Sequence, residues 1–353
     1  MTRQPRRPYT THDLAIDAQL TELVAKLPDA QDRDILREIL VSGYRLGADN
    51  ASTGDLKIIN AALKELRYAF RVFNPYRHIR KVAMFGSARV RKTHPAYAMA
   101  VDFGRLMAKA GWGVITGAAS GIMRAGHEGA GREASFGLNI RLPFEQEANP
   151  VIAEDNKLVT CKYFFTRKLL FIKESHATVL FPGGFGTLDE GFESLTLVQT
   201  GKSDPRPIVF VEHPKHAYWK PLIDFIEGKM LEDKMISDSD RFAYKVAHSA
   251  EEAAQIVLDF YRNYHSVRYV SNRLIMRLQK PLTPAGIERL NRDFKDMLTA
   301  GSIEQTRALP DEAEEKDLAS LPRLIIPFDR RSYGRLVQLI EAVNQQPARA
   351  KRG

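Results

Sequence analysis

Apolar positions change their period twice along this chain of 353 residues. Residues 10–75 read as helical, and Leu56, Ile59, Leu63, Leu66, Phe70 and Phe73 recur at alternating steps of three and four. That spacing places them on one helix face, which Asn74-Pro75 should end. From Lys81 short apolar runs take over: KVAMF, GVIT, GLNIRL, LVTC, ATVLF, PIVFV and YKVAH. Amphipathic or alanine-rich stretches such as PAYAMAVDFGRLMAKAG lie between most of them. Strands alternating with helices predict a parallel sheet covered on both faces, an α/β, doubly wound, Rossmann-like fold. After a helix ending near Tyr261 the pattern changes again. RLIMRLQ reads as a strand, and Thr283-Pro284 supplies an N-cap and a first helical residue for a helix to about Thr299. Strands near SIEQTRAL and PRLIIPF and a last helix from Tyr333 complete a β-α-β-β-α order, a small α+β appendage.

The expected organisation is therefore an N-terminal helical extension (1–80), a Rossmann-like catalytic domain (81–262) and a small α+β domain with a basic tail (263–353). The segment DEAEEKD, Asp311 to Asp317, reads as a solvated acidic loop.

Composition narrows the function classes only a little. An apolar fraction of 44% with 27% charged residues is that of an ordinary globular enzyme. No stretch approaches eighteen apolar residues in a row, and MTRQPRRPYTTHDL has no apolar core, so neither a membrane span nor a secretory signal is expected. The single cysteine, Cys161, excludes an internal disulfide framework and fits a cytoplasmic protein. The net charge of +9 falls to +3 without the six tail cations Arg3, Arg6, Arg7, Arg349, Lys351 and Arg352. Nucleic acid is not an expected partner on that balance. His213 and His216 flank Pro214, which suits a loop better than a metal-binding helix, and no metal or cofactor is expected.

The stretch with chemistry is FPGGFGTLDE, Phe181 to Glu190, directly after the strand ATVLF. In doubly wound sheets ligands bind beyond the carboxyl ends of strands. Glycines at a strand-to-helix turn let backbone amides approach an anion, and the helix adds its positive end. Gly183, Gly184 and Gly186, with the Thr187 hydroxyl, would thus form a phosphate cradle; equally, the turn needs glycine for its geometry alone. The stretch is neither a P-loop, since no Gly-Lys-Ser/Thr follows, nor the dinucleotide fingerprint of a first strand. Glu190 falls about one helical turn in. It is either a solvent-facing residue or an acid held beside a ligand's sugar, where a carboxylate binds hydroxyls or stabilises an oxocarbenium ion.

Pro182 to Glu190, P-G-G-x-G-T-x-x-E, resembles the signature of the Lonely Guy (LOG) family of nucleotide phosphoribohydrolases, once labelled lysine decarboxylases. The family pairs this motif with an Arg-Lys on the preceding helix, and FFTRKLLF supplies Arg167 and Lys168, with Arg167 23 residues before Glu190. MFGSARV, GIMRAGHEGA, GLNIRLPFEQEANP and LTLVQTGK are similar, in order, to stretches of the longer members. One departure is TGAASGIM, where Ala118 and Ala119 stand in a turn that many members fill with glycine.

The resemblance implies cleavage of the N-glycosidic bond of a nucleoside 5′-monophosphate, AMP or a cytokinin riboside 5′-monophosphate, giving free base and ribose 5-phosphate. It implies that the glycine turn and Thr187, helped by Gly86 and Ser87, bind the phosphate, that Glu190 acts at the ribose and that Arg167 orients the nucleotide. Lys168 would add to the phosphate field, and Thr196 matches a position that contacts substrate. The family's assembly into dimers or larger forms implies a homo-oligomer. Related folds bind nucleotides or molybdenum cofactor without cleavage, so a carrier is the alternative. A Schiff-base lysine for decarboxylation is not marked in the sequence.

Overall fold

The computed structural model describes residues 9–28, 32–142, 147–270, 272–312 and 314–346. The six tail cations lie outside these. The chain divides into two compact units, up to Arg67 and from Tyr68 onward.

In the first unit α1 (Leu14–Ala25) starts at Asp13, whose carboxylate accepts from the amides of Ala15 and Ile16 at 2.8 and 3.1 Å. It contacts α2 (Arg33–Ala48). α3 (Thr53–Phe73) crosses the unit boundary and ends at Asn74-Pro75, as the apolar period predicts. Its apolar stripe is not buried along its length: Phe73 is enclosed, whereas Leu56, Ile59, Leu63 and Phe70 are exposed.

All seven sequence-predicted strands occur in the second unit, in one parallel sheet. They are β1 (Lys81–Phe85), β2 (Gly113–Thr116), β3 (Ser135–Ile140), β4 (Leu158–Cys161), β5 (Ala177–Leu180), β6 (Ile208–Val211) and β7 (Lys245–Ala247). The order is β4-β3-β2-β1-β5-β6-β7. From β1 the chain winds outward one way, and from β5 it winds the other. The connections carry α4 (Pro95–Lys109), α5 (Ile122–Ala134), α6 (Phe164–Glu174), α7 (Phe185–Gln199) and α8 (Lys220–Asp224), and α9 (Ala250–Phe260) follows β7. Alternate β1 residues serve two layers: Val82 and Met84 pack with α4, α5 and α9, while Phe85 meets Phe171 of α6 edge-on at 4.7 Å. Both faces are thus covered, which is why these strands read as unbroken apolar runs.

The last region is a four-stranded antiparallel sheet of order β10-β11-β9-β8. Its strands are β8 (Tyr264–Val270), β9 (Arg273–Leu278), β10 (Glu304–Thr306) and β11 (Arg323–Ile326), with α10 (Pro284–Asp293) and α11 (Tyr333–Gln345). β8 is an addition to the expected order. Its His265, Ser266 and Arg268 break the apolar alternation because it is an edge strand. α11 is fastened to the Rossmann-like core: buried Asn344 accepts from the amides of Asn263 and Tyr264 and donates to the Phe260 carbonyl at 2.6 Å.

The acidic loop is not merely solvated. Glu312 is buried, its carboxylate accepting from Arg277 at 2.6 Å and from Arg323 at 3.1 Å, both guanidiniums themselves buried. Burial alone would raise its pKa from 4.5, but hydrogen bonds from Arg277, the Leu309 amide and Arg323 drive it down to about 2. Glu312→Gln leaves two buried guanidiniums short of charge and should cost about 3 kcal/mol or more in urea unfolding. Because the folded pKa lies below the unfolded one, the wild-type advantage is full above about pH 5 and fades as pH falls toward 2. An unfolding midpoint that is the same for both proteins at pH 7 would contradict this.

Candidate functional site

The site lies where β1 and β5 end side by side. The Ser87 amide donates to the Pro182 carbonyl at 3.0 Å, joining the two turns. Gly183 has no room for a side chain: a β-carbon there would sit 2.1 Å from Thr187 Oγ1 and 3.0 Å from the Ser87 nitrogen. Gly184 and Gly186 differ, since β-carbons on them would meet nothing within 4 Å. Internal packing therefore does not require glycine at either position. α7 begins at Phe185 with Gly184 as N-cap and no capping side chain, so helix geometry leaves the amides of Phe185 and Gly186 without intrahelical acceptors. The Thr187 and Leu188 amides turn back to the Gly184 carbonyl. The loop after β6 braces the turn: Tyr218 donates to the Gly183 carbonyl at 2.8 Å and Trp219 Nε1 to the Leu180 carbonyl at 3.1 Å.

These groups open on a cavity of about 670 Å³ that Gly86, Ser87, Gly183, Gly184, Gly186 and Thr187 line together. Arg167 and Glu190 line it as well. Arg167 stands in the first turn of α6, between the rings of Phe164 and Phe171 at 5.2 and 5.6 Å. Its Nε is buried with no hydrogen-bond partner among the described residues. Glu190 is 3% exposed, with carboxylate oxygens 3.9 Å from Arg167 Nη2 and 3.8 Å from Lys168 Nζ. Neither cation is within hydrogen-bonding reach of it. Burial raises the Glu190 pKa to about 7, and the nearby Lys168 and Arg167 offset only part of that rise. A buried acid poised near neutrality beside a bare helix N-terminus is suited to charge that develops during a reaction.

Two sequence-predicted residues stand apart. Lys168 does not line the cavity; it is bound to Asp189 at 3.0 Å and to Glu193. Burial alone would lower its pKa, but those carboxylates raise it. Thr196 is exposed and borders a different, smaller cavity.

The turn after β2 resolves its own departure from glycine. Ala118 adopts φ +61° and is fully buried, its methyl directed at Gly137 rather than into the cavity. Asn149 holds that conformation by donating to the Ala118 and Ala119 carbonyls at 3.0 and 3.2 Å. Gly117 and Ala119 reach the cavity wall. Sequence reasoning missed Met123, Asn139, Phe185 and Tyr218, which also line it. Phe185 sits inside the motif, and its 92% exposure is the signal that its ring serves no core.

The family model described as possible lysine decarboxylase matches residues 116–257. Cytokinin riboside 5′-monophosphate phosphoribohydrolase of Arabidopsis thaliana is 34% identical over 102 residues, which are 29% of this chain and 46% of that relative. The match thus spans about half the length of the curated relative. Among solved structures, the molybdenum cofactor carrier protein of Chlamydomonas reinhardtii is 18% identical, covering 51% of this chain and 96% of its own, with a TM-score of 0.35. The molybdenum cofactor binding protein of Rippkaea orientalis is also 18% identical, with coverages of 51% and 94% and a TM-score of 0.34. The family model and the curated relative thus both support a LOG-family protein.

Proposed function

We propose that this protein hydrolyses the N-glycosidic bond of a nucleoside 5′-monophosphate, AMP or a cytokinin riboside 5′-monophosphate. The observation that carries the reading is the buried Glu190 carboxylate, 3.9 Å from Arg167, in the cavity onto which the bare N-terminus of α7 opens. In this reading the amides of Phe185 and Gly186 and the Thr187 hydroxyl hold the 5′-phosphate, and Arg167 supplies fixed positive charge and orientation. Glu190 binds the ribose and stabilises positive charge at its anomeric carbon. The bond from that carbon to the base nitrogen breaks, and its electron pair leaves with the base, which takes up a proton. Water adds to the sugar, giving free base and ribose 5-phosphate. The side chain of Arg167 stays charged, so it is not the proton donor.

A carrier of phosphorylated ligands needs the glycine turn but gains nothing from a desolvated acid beside an anion, so Glu190 favours hydrolysis over carriage. Decarboxylation finds less support: the described cavity lining contains no lysine. Lys168 is pushed toward the charged form, the reverse of what a Schiff-base nucleophile needs. The same reading has the protein working as a homo-oligomer, supported by exposed Phe164, Phe165, Leu169 and Phe185 on α6 and α7.

Purified protein should release adenine from AMP and leave adenosine nearly untouched, because binding energy at the remote phosphate is used at the reacting bond. Equal turnover of the two would defeat the phosphate anchor. Glu190→Gln should retain the fold and reduce cleavage about a hundredfold or more. The ionised carboxylate is the working form, so kcat/KM should climb through pH 7 in the wild type and lose that limb in Glu190→Gln. A limb unchanged by the substitution would assign it to another group.

The glycines separate a cradle from a mere turn. Gly184→Ala and Gly186→Ala should unfold like wild type, since their methyls enter open space, yet raise the Kd for AMP about tenfold by obstructing the amides. Calorimetric titration that gives wild-type affinity for both variants would return the motif to a purely conformational role.

A further inference from the structure

At the opposite end of the sheet, where β1, β5 and β6 begin, lies a second cavity of about 1000 Å³. It shares no described lining residue with the first. Its cations come from four separate parts of the chain: Arg77 and Arg80 before β1, Lys173 in the last turn of α6, Lys202 after α7, and Arg206 before β6. Three carboxylates, Glu193, Asp204 and Asp317, offset part of that charge.

Arg206 carries the argument. It is 7% exposed, and one terminal nitrogen donates to Ser175 Oγ at 3.1 Å. Its Nε is buried and has no hydrogen-bond partner among the described residues. Asp204 pulls on it electrostatically from an exposed position but makes no hydrogen bond to that nitrogen. A guanidinium removed from water with a donor unused is the kind of group that an anion satisfies. The surroundings agree. Burial, followed by the fields of Arg80, Lys81 and Arg206, lowers the His176 pKa to about 3. His265 falls to about 4, by burial and then by Arg80, Arg277 and Arg323. Both imidazoles are thus neutral donors or acceptors within a positive field. Arg80 is held in place by stacking on Tyr261 at 3.9 Å and by donating to the His265 carbonyl.

We propose that this cavity is a second anion site, taking a phosphate-bearing small molecule whose phosphoryl oxygen accepts from the under-satisfied Arg206 guanidinium, with Arg77 and Lys202 completing the charge at the rim. Phosphate is preferred over carboxylate because cations converge from several directions, matching a tetrahedral anion rather than a planar one. The site does not depend on the chemistry proposed for the first cavity.

The two tryptophans of the chain provide separate reporters. Trp112 packs 5.6 Å from Tyr261 and 6.3 Å from His176, both on the wall of this cavity. Trp219 braces the glycine turn of the other. In full-length protein labelled with 5-fluorotryptophan, and assigned with Trp219→Phe, inorganic pyrophosphate should shift the Trp112 fluorine resonance saturably. Arg206→Met should weaken that response about tenfold or more, and citrate should produce much less of it than pyrophosphate does. The proposal is overturned if only Trp219 responds, if Arg206→Met leaves the Trp112 titration unchanged, or if citrate matches pyrophosphate. Should Arg206→Met fail to fold, the exposed pair Arg77→Ala and Lys202→Ala decides: wild-type affinity in that double variant also overturns it.

Discussion

The hydrogen bond from the Ser87 amide to the Pro182 carbonyl fixes the place on which the rest of the second unit depends. β1 and β5 are neighbours in the sheet but more than ninety residues apart in the chain, and their connections depart in opposite directions. A crevice opens between those departures. The bond sets how wide that crevice is. With Gly183 pressed against the Ser87 nitrogen, the two turns cannot approach further or slide apart without breaking it. Everything charged in the first cavity is then placed relative to this one seam.

The electrostatics follow from which helix ends meet there. α6 and α7 both present N-termini toward the crevice, and α6 adds Arg167 in its first turn, where a cation is ordinarily disfavoured. Positive potential is thereby concentrated rather than relieved. Glu190, one turn into α7, partly balances it while remaining too far away to form a tight pair with either cation. A tight pair would neutralise both groups; a gap of nearly 4 Å keeps both available to a third party.

Much of this was legible in the sequence because the features concerned are local. Strands buried on both faces must be apolar throughout, so seven of them stood out. The glycine turn and its acid occupy ten consecutive residues. What escaped depended on partners far along the chain. β8 is an edge strand whose polar residues hide its period. Glu312 looked like one more charge in an acidic loop, and only the return of Arg277 and Arg323 around it makes it a buried centre. Ala118 stood as a departure from the family's glycine, but Asn149, thirty-one residues on, holds it in a left-handed conformation that turns its methyl toward Gly137. Tyr218 belongs to a loop with no motif of its own. Lys168, paired with Arg167 by the family resemblance, is sent by the helix to the carboxylates of α7.

One property of the glycine turn reaches further than the turn itself. Four carbonyls in and just before it are already engaged: Leu180 by Trp219, Pro182 by Ser87, Gly183 by Tyr218, and Gly184 by the amides of α7. Hydrogen bonding inside the protein thus uses up the acceptors and leaves donors facing outward. The sign of charge that the turn presents thus comes from its main chain rather than from a side chain. The Phe185 side chain is different, since its ring lines the cavity, is 92% exposed and serves no core. A side-chain substitution in the turn therefore changes its shape without changing the sign of charge its backbone presents, whereas a substitution of Phe185 changes what the cavity wall offers.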